Sequence, residues 1–156
     1  MSTPEPLRFE DFTPGRTFAF GDHTITEDEI IAFAEEYDPQ PMHIDPEAAK
    51  HGMTGGLIAS GWHMCALAML LLKQHLLHDT TSLGSPGVDE VQWRKPVRPG
   101  DHLSMEAEVM HARTSFSMKD RGFVTFRFSL YRSDAVVQKQ LAMVYVSPIM
   151  IRKREG

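Results

Sequence analysis

The stretch Tyr37-Asp38-Pro39-Gln40-Pro41-Met42-His43-Ile44-Asp45 sets a carboxylate and an imidazole five positions apart, in a segment stiffened by two prolines. Each proline fixes φ at its own position. A carboxylate and an imidazole held rigidly side by side can share one water: one accepts its proton while the other orients it or donates. Residue type and spacing alone are also met by Asp38 capping a short helix and His43 standing on a loop surface. Further on, Gly52, Gly55, Gly56 and Gly61 lead into an apolar run. Free amides at a helix N-terminus attract an anion or a polarised carbonyl oxygen. Gly61, lacking a side chain, would let a substrate approach its backbone; tight helix–sheet packing is the alternative use of these glycines. Arg94 and Lys95, with Arg98 close behind, form a basic strand end that can pair with phosphate or simply discourage edge-to-edge association.

Other chemistries lack their residues. Ser60 has no Gly-x-Ser-x-Gly around it, and there is no Walker-A or dinucleotide glycine fingerprint, His-Glu-x-x-His or paired Cys-x-x-Cys. His75 and His78 lie one helical turn apart, but the remaining histidines are irregularly spaced, so no metal site is expected. Cys65 is the only cysteine and lies in an apolar run, which reads as an inert buried thiol with no internal disulfide. A net charge of −5 argues against a partner tracked by its phosphates, such as nucleic acid. The N-terminal residues MSTPEPLRFEDF have no apolar h-region, so a secretory signal is not expected and a reducing cytoplasm fits. Gly55 to Leu72 carries no charge and reaches the roughly 18 residues of a spanning helix, but only Met64 to Leu72 is strongly apolar. The expectation is a core helix, with no membrane insertion.

The elements that position these residues are legible from periodicity. Thr26 and Glu29 have capping-box spacing, and Ile30, Ile31, Phe33, Ala34 and Tyr37 follow at helical intervals, giving a helix over 27–36. Asp38-Pro39-Gln40-Pro41 ends it, because a residue before proline avoids the α region. Residues 46–50 suggest a short second helix, and the apolar helix is expected over about 57–76. Beyond residue 86 the pattern changes to period two: Leu103, Met105, Ala107 and Val109, then Val124, Phe126, Phe128 and Leu130, alternate with polar residues. Residues 88–95 and 136–146 complete a four-strand meander, with turns at Pro99-Gly100-Asp101, Asp120-Arg121-Gly122 and Ser133-Asp134. Closely spaced strands pair antiparallel, and a meander wrapped around nearly the whole circumference of one apolar helix is an α+β arrangement. The 156 residues suit one domain spanning the chain.

The motif around Asp38 and His43, followed by Ala48-Ala49 and Gly56-Leu57-Ile58-Ala59-Ser60-Gly61, resembles the hydratase motif of MaoC-like proteins, which include the (R)-specific enoyl-CoA hydratases. The interval from His43 to Gly61 is that of the family, and Lys95-Pro96-Val97 with Pro99-Gly100-Asp101 is similar to its strand-turn-strand passage. The resemblance implies a hot-dog fold, a curled antiparallel sheet around a long central helix, and a homodimer. It implies reversible water addition to a trans-2-enoyl thioester delivered by CoA or an acyl carrier protein, with no further cofactor. By the same resemblance Asp38 and His43 activate the water, and the Gly61 amide holds the thioester oxygen. Gln40, Pro41, Ser60, Trp62, Arg94 and Lys95 are the substrate contacts it suggests. Two departures stand out: Gln40 replaces the usual Asn, and Ser60 replaces the His common before the helix glycine. The Trp62 indole is expected to shorten or redirect the acyl pocket. An acyl-CoA thioesterase and a non-catalytic thioester-binding module are the competing expectations.

Overall fold

The computed structural model describes residues 5–77 and 81–154. After a 3₁₀ turn at Phe9–Asp11 come β1 (Thr17–Thr24), α1 (Glu27–Tyr37), α2 (Pro41–Ile44), α3 (Pro46–Lys50) and α4 (Gly61–His75). Then follow β2 (Ser82–Gly84), β3 (Glu90–Trp93), β4 (His102–Thr114), β5 (Arg121–Ser133) and β6 (Gln140–Arg152). All pairings are antiparallel, in the order β1-β4-β5-β6-β2, with β3 also paired to β6. The sheet curls over α4. Leu103, Met105, Val124, Phe126, Phe128 and Leu130 from the long strands close one core with Leu67, Ala68, Leu71 and Leu72 of the helix. This is the hot-dog arrangement that the motif implied.

Several elements differ from the sequence expectation. β1 was missed because its side-chain parity changes midway, where its register with β4 shifts between Phe20 and His23. Gly21 sits in that shift at φ +94°, and a Cβ there would lie 3.3 Å from Leu71 Cδ1, so glycine lets β1 pass close to the helix. β3 pairs with β6 rather than β4, so only β4-β5-β6 form a meander, and 94–101 is a crossing loop. β6 continues past 146 to Arg152. Its Pro148 stands opposite the gap between the β3 and β2 pairings, an edge position that tolerates proline. α4 begins at Gly61 and not at 57, because the preceding amides are engaged elsewhere: Ile58 N–H donates to Met42 O (3.0 Å) and Ala59 N–H to Val97 O (2.8 Å). The Thr26 hydroxyl caps α1 through Glu29 N–H, but the Glu29 carboxylate goes to His23 Nε2 at 2.9 Å, so the box is half formed.

The central helix is not covered on nearly all sides. His63, Met64, Leu67, Ala68, Leu71 and Leu72 are buried, whereas Trp62, Ala66, Met69 and Leu70 form an open stripe at helical spacing. Among the described residues no helix is long and apolar enough to cross a membrane. His75 is exposed at the end of α4, and its proposed neighbour His78 lies outside the described residues.

The crossing loop is fastened by a buried ion pair. Arg132 on β5 donates Nε–H and Nη2–H to the two carboxylate oxygens of Asp101, at 2.7 and 2.9 Å. Asp101 Oδ2 also accepts from the Arg98 amide at 2.9 Å. Both side chains are nearly sealed, at 9% and 3% exposure, so this clasp fixes where the loop runs.

Candidate active site

The turn after α1 delivers the pair. Asp38 ends the helix, its amide still bonded to Ala34 O (2.8 Å) while its own backbone has left the helical region. Pro39 enforces that departure, and Pro41 starts the single turn of α2 as its first residue, a position that needs no N–H. That turn swings His43 inward until it is only 4% exposed. Its Nδ1 lies 2.8 Å from Ile58 O. A carbonyl only accepts, so Nδ1 carries the proton and Nε2 presents its lone pair. Nε2 faces Asp38 Oδ2 at 3.4 Å.

Asp38 is held from two further directions. The Ser60 hydroxyl donates to Oδ2 at 2.6 Å, and Gln40 Nε2–H donates to Oδ1 at 2.7 Å. The Ser60 bond, aided by Gln40 and the nearby imidazole, keeps the carboxyl below its ordinary value although partial burial pulls the other way. Asp38 is therefore ionised near neutrality. Gln40, one methylene longer than Asn, spends its amide on the carboxylate it flanks.

Ser60 is fully buried and also caps α4, its Oγ accepting from the Trp62 amide at 3.2 Å. Gly61 is the first residue of that helix, a position whose N–H has no intrahelical acceptor. Its lack of a side chain has a definite cause: a Cβ there would fall 2.4–2.8 Å from three atoms of the Trp93 indole. Close packing against Trp93 is thus one use of this glycine. Trp93 Nε1–H donates to Gly61 O at 3.1 Å, and its ring meets Trp62 edge to face at 5.3 Å between centroids.

Asp38, His43 and Gly61 open onto one cavity of about 600 Å³, within the range of ligand sites. Met42, Met53, Met64, Val97 and Ala142 supply apolar wall, Gln40, Trp62 and Trp93 also line it, and Arg94, Lys95 and Arg98 give it a basic side. The structure thus gathers Asp38, His43, Gly61, Gln40, Trp62, Arg94 and Lys95 around a single space. Ser60 and Pro41 stand outside its wall: Ser60 lies behind Asp38, and Pro41 is exposed at the start of α2. Arg98 joins Arg94 and Lys95 at the cavity, and so does Trp93, which the sequence does not single out. Arg98 Nη2–H reaches Thr54 O, tying the glycine loop to the crossing loop. Nothing local marks Trp93, whose place follows from β3 pairing with β6.

The match of residues 10–125 to the MaoC-like domain decides the family. This chain is a MaoC-like protein. A MaoC-like dehydratase from Rhodospirillum rubrum shares 34% identity, with 96% of this chain and 99% of that one covered and a TM-score of 0.82. An uncharacterised Bacillus subtilis protein, YdeM, is 29% identical over 130 residues, 83% of this chain and 91% of its own. The unliganded (R)-hydratase PhaJ1 from Pseudomonas aeruginosa shares the fold at 20% identity, with 97% and 89% covered and a TM-score of 0.74. Hydratase or dehydratase chemistry is thus the general activity of the MaoC-like family to which the chain belongs.

Proposed function

We propose that this MaoC-like protein adds water reversibly across the double bond of a trans-2-enoyl thioester. The observation that carries this reading is the approach of His43 Nε2 to Asp38 Oδ2 at 3.4 Å on the cavity that Gly61 also lines. One water bridging the pair donates to both and turns a lone pair towards C3. The His43 Nε2 lone pair takes the proton, and the Asp38 carboxylate beside it, kept ionised by the Ser60 bond, stabilises the imidazolium. As the C3–O bond forms, the π pair moves onto the thioester as an enolate, whose oxygen receives the Gly61 N–H and the positive end of α4. Return of the imidazolium proton to C2 completes the addition, and reversal is dehydration. Arg94, Lys95 and Arg98 suit the phosphate that CoA and acyl carrier protein both bear. A second copy of the chain is the proposed cover for the open stripe of α4.

Hydration of crotonyl-CoA, followed by loss of enoyl-thioester absorbance, tests the reading. Asp38→Asn and His43→Ala are each expected to lower kcat/KM by several powers of ten. Turnover in both variants near that of the unaltered protein refutes the shared-water mechanism, and free thiol release would replace it with thioester hydrolysis. Light scattering checks the cover: a dimer is expected, shifted towards monomer by Met69→Lys.

A further inference from the structure

We infer that Trp93 is a positioning residue that fixes the Gly61 peptide, and with it the amide that receives the substrate oxygen. The inference rests on the proposed hydratase reading. Glycine is the most permissive residue of the backbone, so a glycine whose amide must point at one spot needs restraint from its neighbours. Two restraints are present, one on each side of Gly61. Ser60 holds the preceding residue through its bonds to Asp38 Oδ2 and the Trp62 amide. Trp93 holds the following peptide: its indole lies flat against the position a Cβ would take, and its Nε1–H donates to Gly61 O at 3.1 Å. Trp62 braces the ring edge to face, and β3 seats the Trp93 backbone opposite Met143 of β6. The chain thereby links the sheet to the first residue of the central helix through one side chain, which holds its carbonyl and packs on its Cα. A misplacement of about 1 Å costs roughly 100-fold in such sites, so restraint on this peptide bears on kcat.

Trp93→Phe keeps an aromatic ring at the position and removes the donor with part of the packing on Gly61. The expected result with crotonyl-CoA is a fall in kcat of about 10-fold, with KM within twofold and the shape of the pH–rate profile unchanged, because Asp38 and His43 are untouched. An unchanged kcat, or a loss confined to KM, overturns the inference and makes Trp93 a pocket wall. The packing half is read without turnover, by thermal unfolding. Gly61→Ala is expected to lower Tm by roughly 3–10 °C in the otherwise unaltered protein, the effect of overpacking, and by far less in a Trp93→Ala background. Additive losses overturn it. If the unaltered protein turns over no enoyl thioester while the two substitutions couple, the hydratase reading fails and the Trp93–Gly61 clamp stands.

Discussion

Ser60→Ala separates two contributions that meet in one hydroxyl. Oγ caps α4 by accepting from the Trp62 amide and also donates to the Asp38 carboxylate at 2.6 Å. Loss of a helix cap costs about 1 kcal/mol, and this part is independent of pH. Loss of a hydrogen bond to a buried-side carboxylate costs about 1.5–3 kcal/mol, and this part needs Asp38 ionised. The sum, about 2.5–4 kcal/mol near neutrality, corresponds to a fall in Tm of roughly 5–15 °C for a chain of this size. The sign with pH follows from linkage. The folded-state pKa of Asp38 is lowered, chiefly by Ser60, so its stabilising effect is present above the ordinary carboxylate value and is lost as pH falls through the depressed one. The Ser60→Ala penalty should therefore shrink towards the cap alone, a few degrees, once Asp38 is protonated. Thermal unfolding of both proteins at neutral and at acid pH measures the difference. A Tm penalty of equal size at both pH values refutes the assignment of Ser60 as the partner of Asp38.

Other predictions concern the frame. Asp101→Ala leaves the Arg132 guanidinium, 9% exposed, without its bidentate partner, and is expected to destabilise by about 3–5 kcal/mol; equilibrium denaturation with a loss below 1 kcal/mol would show that Asp134 and Gln140 suffice for Arg132. His63 stacks on Phe33 at 4.5 Å, its Nδ1 has no hydrogen-bond partner among the described residues, and burial pushes its pKa down from 6.5. The unfolded chain therefore takes up a proton first as pH falls, and stability should begin to decline near pH 6.5. His63→Leu is expected to flatten Tm between pH 7.5 and 5.5, and parallel curves for the two proteins would contradict this.

The site was legible where it depended on local chain geometry. Asp38 and His43 lie on one short turn whose two prolines are visible in the sequence; spacing alone equally allows a capping carboxylate and a surface imidazole, and the resemblance to the hydratase motif is what pairs them. The amphipathic α1 and the alternating β4 and β5 were equally readable, because each has a single buried face. What escaped notice depends on pairing across distance. The site place of Trp93 follows from β3 crossing to β6, which leaves no periodic trace. The resemblance suggests Ser60 as a substrate contact; the helix starts later than its apolar run suggests, and the hydroxyl turns towards Asp38. The stripe along α4 was hidden by composition: a helix apolar all round gives no sign of which side the sheet leaves open.

The order of elements along the chain has a consequence for biosynthesis. α4 ends at His75, whereas the strands that cover its apolar side run from His102 to Arg152. Elongation proceeds at about 5–20 residues per second, so the intervening 77 residues (152 − 75) take roughly 4–15 s to synthesise. Until β5 and β6 are complete, Leu67, Ala68, Leu71 and Leu72 lack most of the sheet they pack against. The residues proposed for water activation are all translated before that cover exists, so the nascent chain presents an uncovered greasy helix to chaperones before it presents a site to substrate.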